Sequence, residues 1–271
     1  MQLLQTKKVK WTLLVVTWTF IFIILILPLI LVVSQAFAHG WRAYLTTVSS
    51  LVTLQAINLT VAATLISIGF NLVFGVSAAW LIAFYDFPGK RLLNALIDLP
   101  FSVSPVIAGL IFILTFGRGG WLAPLFDAIH IQIVFAPPAI FLTTIFVTFP
   151  FVAREVIPVL EAKGREEEQT AALLGANLSQ IMRQITFPAI KTPLATGLVL
   201  ATARALGEFG AVAVVSGNIR GKTLTLSLLV QTLYNDFKFN DAFAVATILL
   251  ATTVLVVTLK RRVLRRQTGK V

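Results

Sequence analysis

From Leu51 to Tyr85 the chain carries no charged side chain. In water so long an apolar run would need a large protein core to cover it; in lipid a helix satisfies its own backbone N–H and C=O groups and needs no cover. As one continuous helix the run would measure about 50 Å at 1.5 Å per residue, against a hydrocarbon core of about 30 Å. Part of it must therefore tilt, break or lie outside the lipid. Residues 60–84 are expected to span, with the earlier part at the interface. The whole chain agrees with this reading: of 271 residues 58% are hydrophobic and 12% charged, far from the roughly 25% charged residues of soluble domains. The expected fold class is an all-α integral membrane protein.

Five further apolar runs, 11–33, 97–116, 139–156, 193–215 and 242–259, bring the expected count to six spans in one transmembrane domain over 11–259. Pro100 and Pro105 fall in the third run, which membrane helices tolerate where neighbours re-satisfy the freed backbone. Residues 117–138 read as a loop. Residues 1–10 form a terminal segment and 260–271 a basic tail. Lys7, Lys8 and Lys10 before the first run, and Ala36-Phe37-Ala38 after it, also fit a secretory signal with its cleavage site. A signal core holds about 7–15 apolar residues, fewer than here, so an uncleaved first span is expected. Trp11, Trp41, Trp80 and Trp121 lie near expected span ends, where aromatic belts put them.

The net charge of +11 raises nucleic-acid binding as a possibility, and its distribution answers it. With six alternating spans and a cytoplasmic N-terminus, 16 basic residues fall inside, among them Lys90, Arg91, Arg154, Lys163, Arg165, Arg183, Lys191 and the six of the tail. Outside fall five: Arg42, Arg118, Arg220, Lys222 and Lys238. Such a bias orients both termini to the cytoplasm and accounts for the charge without nucleic acid.

The coupling of topology to function turns on residues 157–192, and chiefly on EEEQTAALLGANLSQIMRQITFP, Glu166 to Pro188. Leu174, Leu178, Ile181, Met182 and Ile185 recur at helical spacing and form one stripe. Gly175 supplies a left-handed cap, Asn177 or Ser179 can start a second helix, and Pro188 is expected to end it. Glu166, Glu167 and Glu168 sit where a helix dipole favours acids. The prediction is helix, tight turn, helix on the cytoplasmic side. A DNA-reading element would need basic and amide side chains on the outward face of its second helix; this one has an apolar side and spans close by. A docking element for a soluble partner fits better than that or a bland amphipathic loop.

The pattern of a small-residue helix, Gly175, nine residues, Ile185, one residue, and an apolar residue before Pro188 resembles the EAA loop of the permease subunits of bacterial ATP-binding-cassette importers. The leading Glu-Ala-Ala of that family aligns with Gln169-Thr170-Ala171, so this chain departs at the first two positions and has Phe187 where Leu is usual. Glu168, one residue early, is a substitute for the missing acid. Arg204-Ala205-Leu206-Gly207-Glu208-Phe209-Gly210-Ala211 and Ser216 to Leu226, with Phe87-Pro88-Gly89-Lys90, Asp98-Leu99-Pro100-Phe101 and Phe116 to Gly120, are similar to the sulfate/molybdate branch, nearest the W-type permease of sulfate/thiosulfate importers. The resemblance implies a type I importer permease in the bacterial inner membrane, paired with a related second permease or a copy of itself. Two cytoplasmic ATPase subunits and an external substrate-binding protein would complete it. It further implies that Glu168, Gln169, Thr170, Ala171, Ala172, Leu174, Gly175, Ala176, Leu178, Ile185 and Pro188 dock the ATPase. Molybdate or tungstate import is the alternative within this class.

An importer permease should lack its own nucleotide site, and Gly217-Asn218-Ile219-Arg220-Gly221-Lys222-Thr223 is one residue short of the phosphate-cradling loop G-x-x-x-x-G-K-[ST]. It follows a span instead of a buried strand and falls outside, where ATP is absent. Asn218, Arg220 and Lys222 are accordingly read as outer-loop residues. There is no cysteine, and His39 and His130 lie far apart with no carboxylate at ligand spacing, so no metal or other cofactor is expected. No Ser, His and acid set marks a catalytic site, so the chain is expected to be no enzyme.

Within the fifth span Arg204 and Glu208 carry opposite charge, each costing about 2.5–3.5 kcal/mol at a helix centre, while the apolar residues of 194–215 return about 3–5 kcal/mol. The span should therefore face protein or water. Four residues apart, the two can pair along one helix face, either locking the span to a neighbour or lining a path or gate. A secondary anion carrier, the reading from a different class, would need a coupling-ion carboxylate at mid-membrane and inverted repeats; only Glu208 answers to that.

Overall fold

The computed structural model describes residues 7–268; the ends of the expected terminal segment and tail, 1–6 and 269–271, lie outside the described residues. All regular structure among them is helical. Five helices are long and apolar enough to cross a membrane, and a sixth crossing exists only if a bent pair counts as one.

The expected first span comes out as α1 (7–36), followed by a short helix α2 (Gly40–Val48). The uncharged run forms a single helix, α3 (Leu51–Phe84). Ser50 caps it, accepting from the Thr53 N–H, and its buried Thr60, Thr64 and Ser67 each donate to the carbonyl four residues back. Hydroxyls satisfied within their own helix can lie in an apolar interior at little cost. A π-turn at Asn71–Gly75 interrupts α3 at mid-length.

The third expected span, 97–116, is not one straight helix: α4 (Lys90–Ser102) and α5 (Pro105–Phe116) meet at a 115° bend. Hydropathy averages over a bend and does not register it. Pro105 opens α5 at a position where its missing N–H costs nothing, and it disfavours helical geometry for Ser104. The loop expected at 117–138 contains a short helix, α6 (Ala123–Ala128), and gives way to α7 (Pro137–Lys163).

Beyond α7 lie α8 (Glu166–Leu173), α9 (Leu178–Leu206), α10 (Gly210–Val215), α11 (Leu226–Asn235) and α12 (Phe239–Thr268). Two boundaries differ from expectation. Pro188 does not end a helix: α9 runs through it, because a π-turn at Met182–Thr186 directly precedes it. The proline lacks an N–H and its ring crowds the carbonyl four residues earlier; a wider turn there relieves both. The fifth span, expected over 193–215, is instead the long α9 and the short α10, separated at Gly207–Phe209.

α7 is the axis of the bundle. Its two larger apolar clusters lie toward opposite ends, and a smaller third joins Ala139 to Ile133 and Val215. One of the larger pair holds Ala79, Ile82, Ile97, Val152, Val156, Leu160, Ile190 and Leu194 from α3, α4, α7 and α9. The other, toward the opposite end, holds Ala56, Ala63, Ile140, Val212, Leu228 and Val245 from α3, α7, α10, α11 and α12. Close approach is set by small residues, as expected where lipid removes the hydrophobic drive between helices. A Cβ on Gly197 of α9 would stand 2.9 Å from both the Phe151 carbonyl oxygen and Val152 Cα, and one on Gly75 of α3 would stand 3.1 Å from the Val152 side chain. Between these surfaces Asn71 donates to Thr148 Oγ1 at 2.8 Å. By contrast α1 buries almost nothing, with only its last turns lying against α12.

Gly197→Val should therefore separate α9 from α7 where backbone meets backbone. A loss of about 1–3 kcal/mol is expected, read as a lower midpoint in thermal unfolding of the detergent-solubilised protein, whereas Gly69→Ala, whose Cβ meets nothing, should leave the midpoint unchanged.

Candidate functional site

The helix–turn–helix unit forms as the residues dictate. Glu166, Glu167 and Glu168 occupy the first turn of α8. The helix closes with Gly175 at φ +88, its N–H donating to the Ala172 carbonyl and the Ala176 N–H to the Ala171 carbonyl, the paired bonds of a left-handed helix terminus. Of the two candidate starts, Asn177 caps α9: its Oδ1 accepts from the Gln180 N–H at 2.9 Å, and Gln180 Oε1 accepts from the Asn177 N–H at 2.8 Å. This reciprocal pair satisfies two donors that a helix end leaves free.

The apolar stripe divides. Ile181 is buried, Met182 and Ile185 half-buried. Leu173, Leu174 and Leu178 are 89%, 84% and 63% exposed and surround Gly175 at the tip. Gln169, Thr170 and Ala172 are exposed alongside; Ala171 and Ala176 are half-covered. Pro188 is exposed on α9, away from the tip. Glu168 sits apart from this set: it is buried, and its Oε1 accepts from Thr186 Oγ1 at 2.5 Å. Its carboxylate faces inward and closes α8 onto the π-turn of α9. Lys163, at the end of α7, joins the same contact with Glu167 at 2.8 Å and the Ile185 carbonyl at 3.4 Å. Leu173 carries no distinguishing sequence signal beyond standing next to Leu174.

At the bends deep in the bundle, Arg204 and Glu208 do pair, Nη1 to Oε2 at 2.5 Å, but across a helix end and not along one face. Glu208 lies in the break between α9 and α10, 3% exposed, and its Oε1 accepts from the Ala211 N–H at 2.8 Å. It thus serves as the polar cap of α10 while holding the last turn of α9. The two helix breaks meet: a Cβ on Gly210 would come within 2.9 Å of Pro105 Cβ, and one on Gly109 within 2.8 Å of the Ala211 carbonyl oxygen.

A second charge pair escapes a reading based on span composition. Arg154 of α7 takes Asp98 of α4 in a two-pronged contact, Nε to Oδ1 at 2.5 Å and Nη2 to Oδ2, and Nη2 also donates to the Asn94 carbonyl at 3.1 Å. Both residues lie inside expected spans, one acidic and one basic, and that opposition is the signal that could have paired them. The outer-loop trio does not converge. Asn218 folds onto Ser216, Arg220 holds Asp236 at 2.6 Å, and Lys222 borders a shallow cavity of about 340 Å³ beside Gln55 and Asn58. Thr223 Oγ1 accepts from the Ile219 N–H at 3.0 Å, so the Walker-like residues hold a tight surface loop together. Among the described residues no three His, Asp or Glu side chains gather as metal ligands.

Residues 71–269 match the family model described as binding-protein-dependent transport system inner membrane component. The sulfate transport system permease protein CysW of Synechocystis sp. is 44% identical over 98% of this chain and 96% of its own, and that of Escherichia coli K12 is 43% identical over 93% and 86%. The sulfate transport system permease protein CysT of Salmonella typhimurium is 36% identical, covering 92% of each chain. The fold superposes on a chain of a bacterial ABC transporter that imports the acidic polysaccharide alginate, with a TM-score of 0.81 and 18% identity over 98% of both. The chain belongs to the family of binding-protein-dependent transport inner membrane components, permeases that carry solute while a separate subunit supplies the ATPase.

Proposed function

We propose that this chain is one of two permeases of an ATP-driven importer for sulfate or thiosulfate, and that the α8–α9 unit is where it receives a cytoplasmic ATPase. The substrate follows from the CysW relatives, which are named for sulfate transport. The second permease would be a related chain of the CysT kind, and an external binding protein would deliver the anion. Both termini, and the tip around Gly175, face the cytoplasm in this reading, in keeping with the distribution of basic residues along the sequence.

One observation carries the docking role: three exposed leucines stand around a glycine turn at the end of the bundle that holds Lys90, Lys163 and Arg165. Exposed leucines on a rigid turn are costly in water and useful against a groove. Gln169, Thr170, Ala171, Ala172 and Ala176 form the small-residue flank of that knob. Glu168 contributes from behind, by fixing α8 to α9. Closure of two ATPase subunits would draw the knobs of the two permeases together and switch the path from inward to outward access.

Arg204 and Glu208 stand at the junction of both helix breaks, where a path along the permease interface would narrow. The pair is proposed to hold the gate's shape; with Glu208 engaged, Arg204 offers an anion no free charge.

Two outcomes test these roles. Gly175→Arg has space for its side chain but carries a positive charge and a strained φ into the tip. Membrane insertion should persist while co-purification of the ATPase and uptake of radiolabelled sulfate both disappear; normal co-purification and uptake would remove the docking role. Arg204→Ala leaves a buried carboxylate uncompensated, which costs up to about 3–5 kcal/mol, less here because Arg204 keeps 30% exposure. The yield of folded permease should fall and be restored in the Arg204→Ala/Glu208→Gln double variant. Sulfate uptake in that double variant separates a holding role, in which uptake returns with folding, from a role on the ion path, in which it does not.

A further inference from the structure

The proposed docking unit is joined to α7 by Gly164 and Arg165. Gly164 adopts φ +70, ψ −169, a conformation that suits glycine and makes the covalent link a natural hinge. A hinge passes little force, and although α9 runs from the unit into its own span, a firm connection to any other span has to be made by side chains. Glu168 with Thr186 closes the unit on itself, and Lys163 belongs to α7. Arg165 is the residue that reaches another span.

Arg165 precedes the first residue of α8, and its Nη1 donates to the carbonyl of Phe84, the last residue of α3, at 3.1 Å. Its guanidinium carbon lies 5.5 Å from the centroid of the Phe84 ring and 4.9 Å from that of Tyr85. The chain leaves the helix at Tyr85 in extended geometry, so carbonyls of the last turn have no intrahelical donor. A cation there satisfies one of them and complements the negative end of the helix dipole, while the aromatic rings hold the guanidinium plane. Its Nε is shielded from solvent without a partner of its own, so the Nη1 bond and the two rings are what hold the side chain.

α3 is the span most able to carry a displacement inward. It extends over 34 residues as one helix and meets α7 at Gly75 and Asn71, in its π-turn. Turns of this kind mark places where a helix can shift register locally.

We infer that Arg165 is a positioning residue that transmits movement of the docking unit to α3, so that loss of its clamp lets ATP be hydrolysed without sulfate being moved. This inference rests on the docking role proposed above. The test uses the complete importer, both permeases with the ATPase and binding protein, reconstituted in liposomes. With Arg165→Ala the ATPase should co-purify in normal amount and hydrolyse ATP within about twofold of the parent rate, while sulfate moved per ATP falls by about tenfold, within the usual range of coupling between sites. Arg165→Lys keeps a charge for the Phe84 carbonyl but not the planar face for the rings, and should fall in between. Tyr85→Leu, at a partly exposed position, removes part of the stack without touching the arginine and should lower the ratio in the same direction, which guards against a folding defect in the first variant. An unchanged ratio in all three variants, or hydrolysis and uptake falling in proportion, overturns the inference. So does loss of the ATPase from the Arg165 variants alone, which would make the arginine a support of the docking surface. Absence of the ATPase from the parent complex would instead count against the docking role itself.

Discussion

Val152 of α7 has a glycine on either side, Gly197 of α9, where a methyl group would collide with the α7 backbone, and Gly75 of α3, where one would press tightly on the Val152 side chain. Much of the fold follows from this three-layer contact. In lipid, helices gain little by hiding apolar surface from one another, so close van der Waals approach has to supply the cohesion, and glycine permits the closest approach. Once α3, α7 and α9 are fixed at this level, their ends are fixed too. On one side they bring Phe84, Lys163 and the start of α9 together and create the seat for α8. On the other they leave room for α10 and α11 to pack beside α3 and α12.

The same tightness explains why irregular backbone concentrates where it does. The π-turns at Asn71–Gly75 and Met182–Thr186 sit next to the glycine contact and the proposed docking unit. The breaks between α4 and α5 and between α9 and α10 meet through Gly109 and Gly210. Inside a membrane, non-helical backbone is tolerated only where protein or water satisfies it. Glu208 meets that requirement at one break, by accepting from the Ala211 N–H, and its charge is in turn held by Arg204.

How far the sequence revealed these features depends on the range of the interaction. Gly175 and Asn177 act on neighbouring backbone, and both were legible: one closes α8 and the other opens α9 as local rules require. The long apolar helices were legible because lipid imposes a simple length and composition rule. Pro188 misled for a physical reason, since a proline ends a regular helix but is accommodated after a π-turn, and nothing local announces the wider turn. The bend after Ser102 was hidden because hydropathy has no direction. Asp98 with Arg154 offered only opposite charge in two spans, and Glu168 with Thr186 offered no local signal: each pairs residues from different helices, and the packing of those helices brings them within reach.

Glu168 shows how a partly matching motif should be weighed. An acid one position early looks like a displaced docking residue, but its carboxylate turns inward to Thr186, while the exposed surface is made by leucines around Gly175. The acid in this chain therefore acts on the rigidity of the unit, and the apolar tip is what a partner would meet. Rigidity is the property such a unit needs. A knob that could rock on Gly164 would absorb a partner's movement, whereas one held by Glu168 and Lys163 behind, and by Arg165 at the end of α3, would carry that movement into the spans, as proposed above.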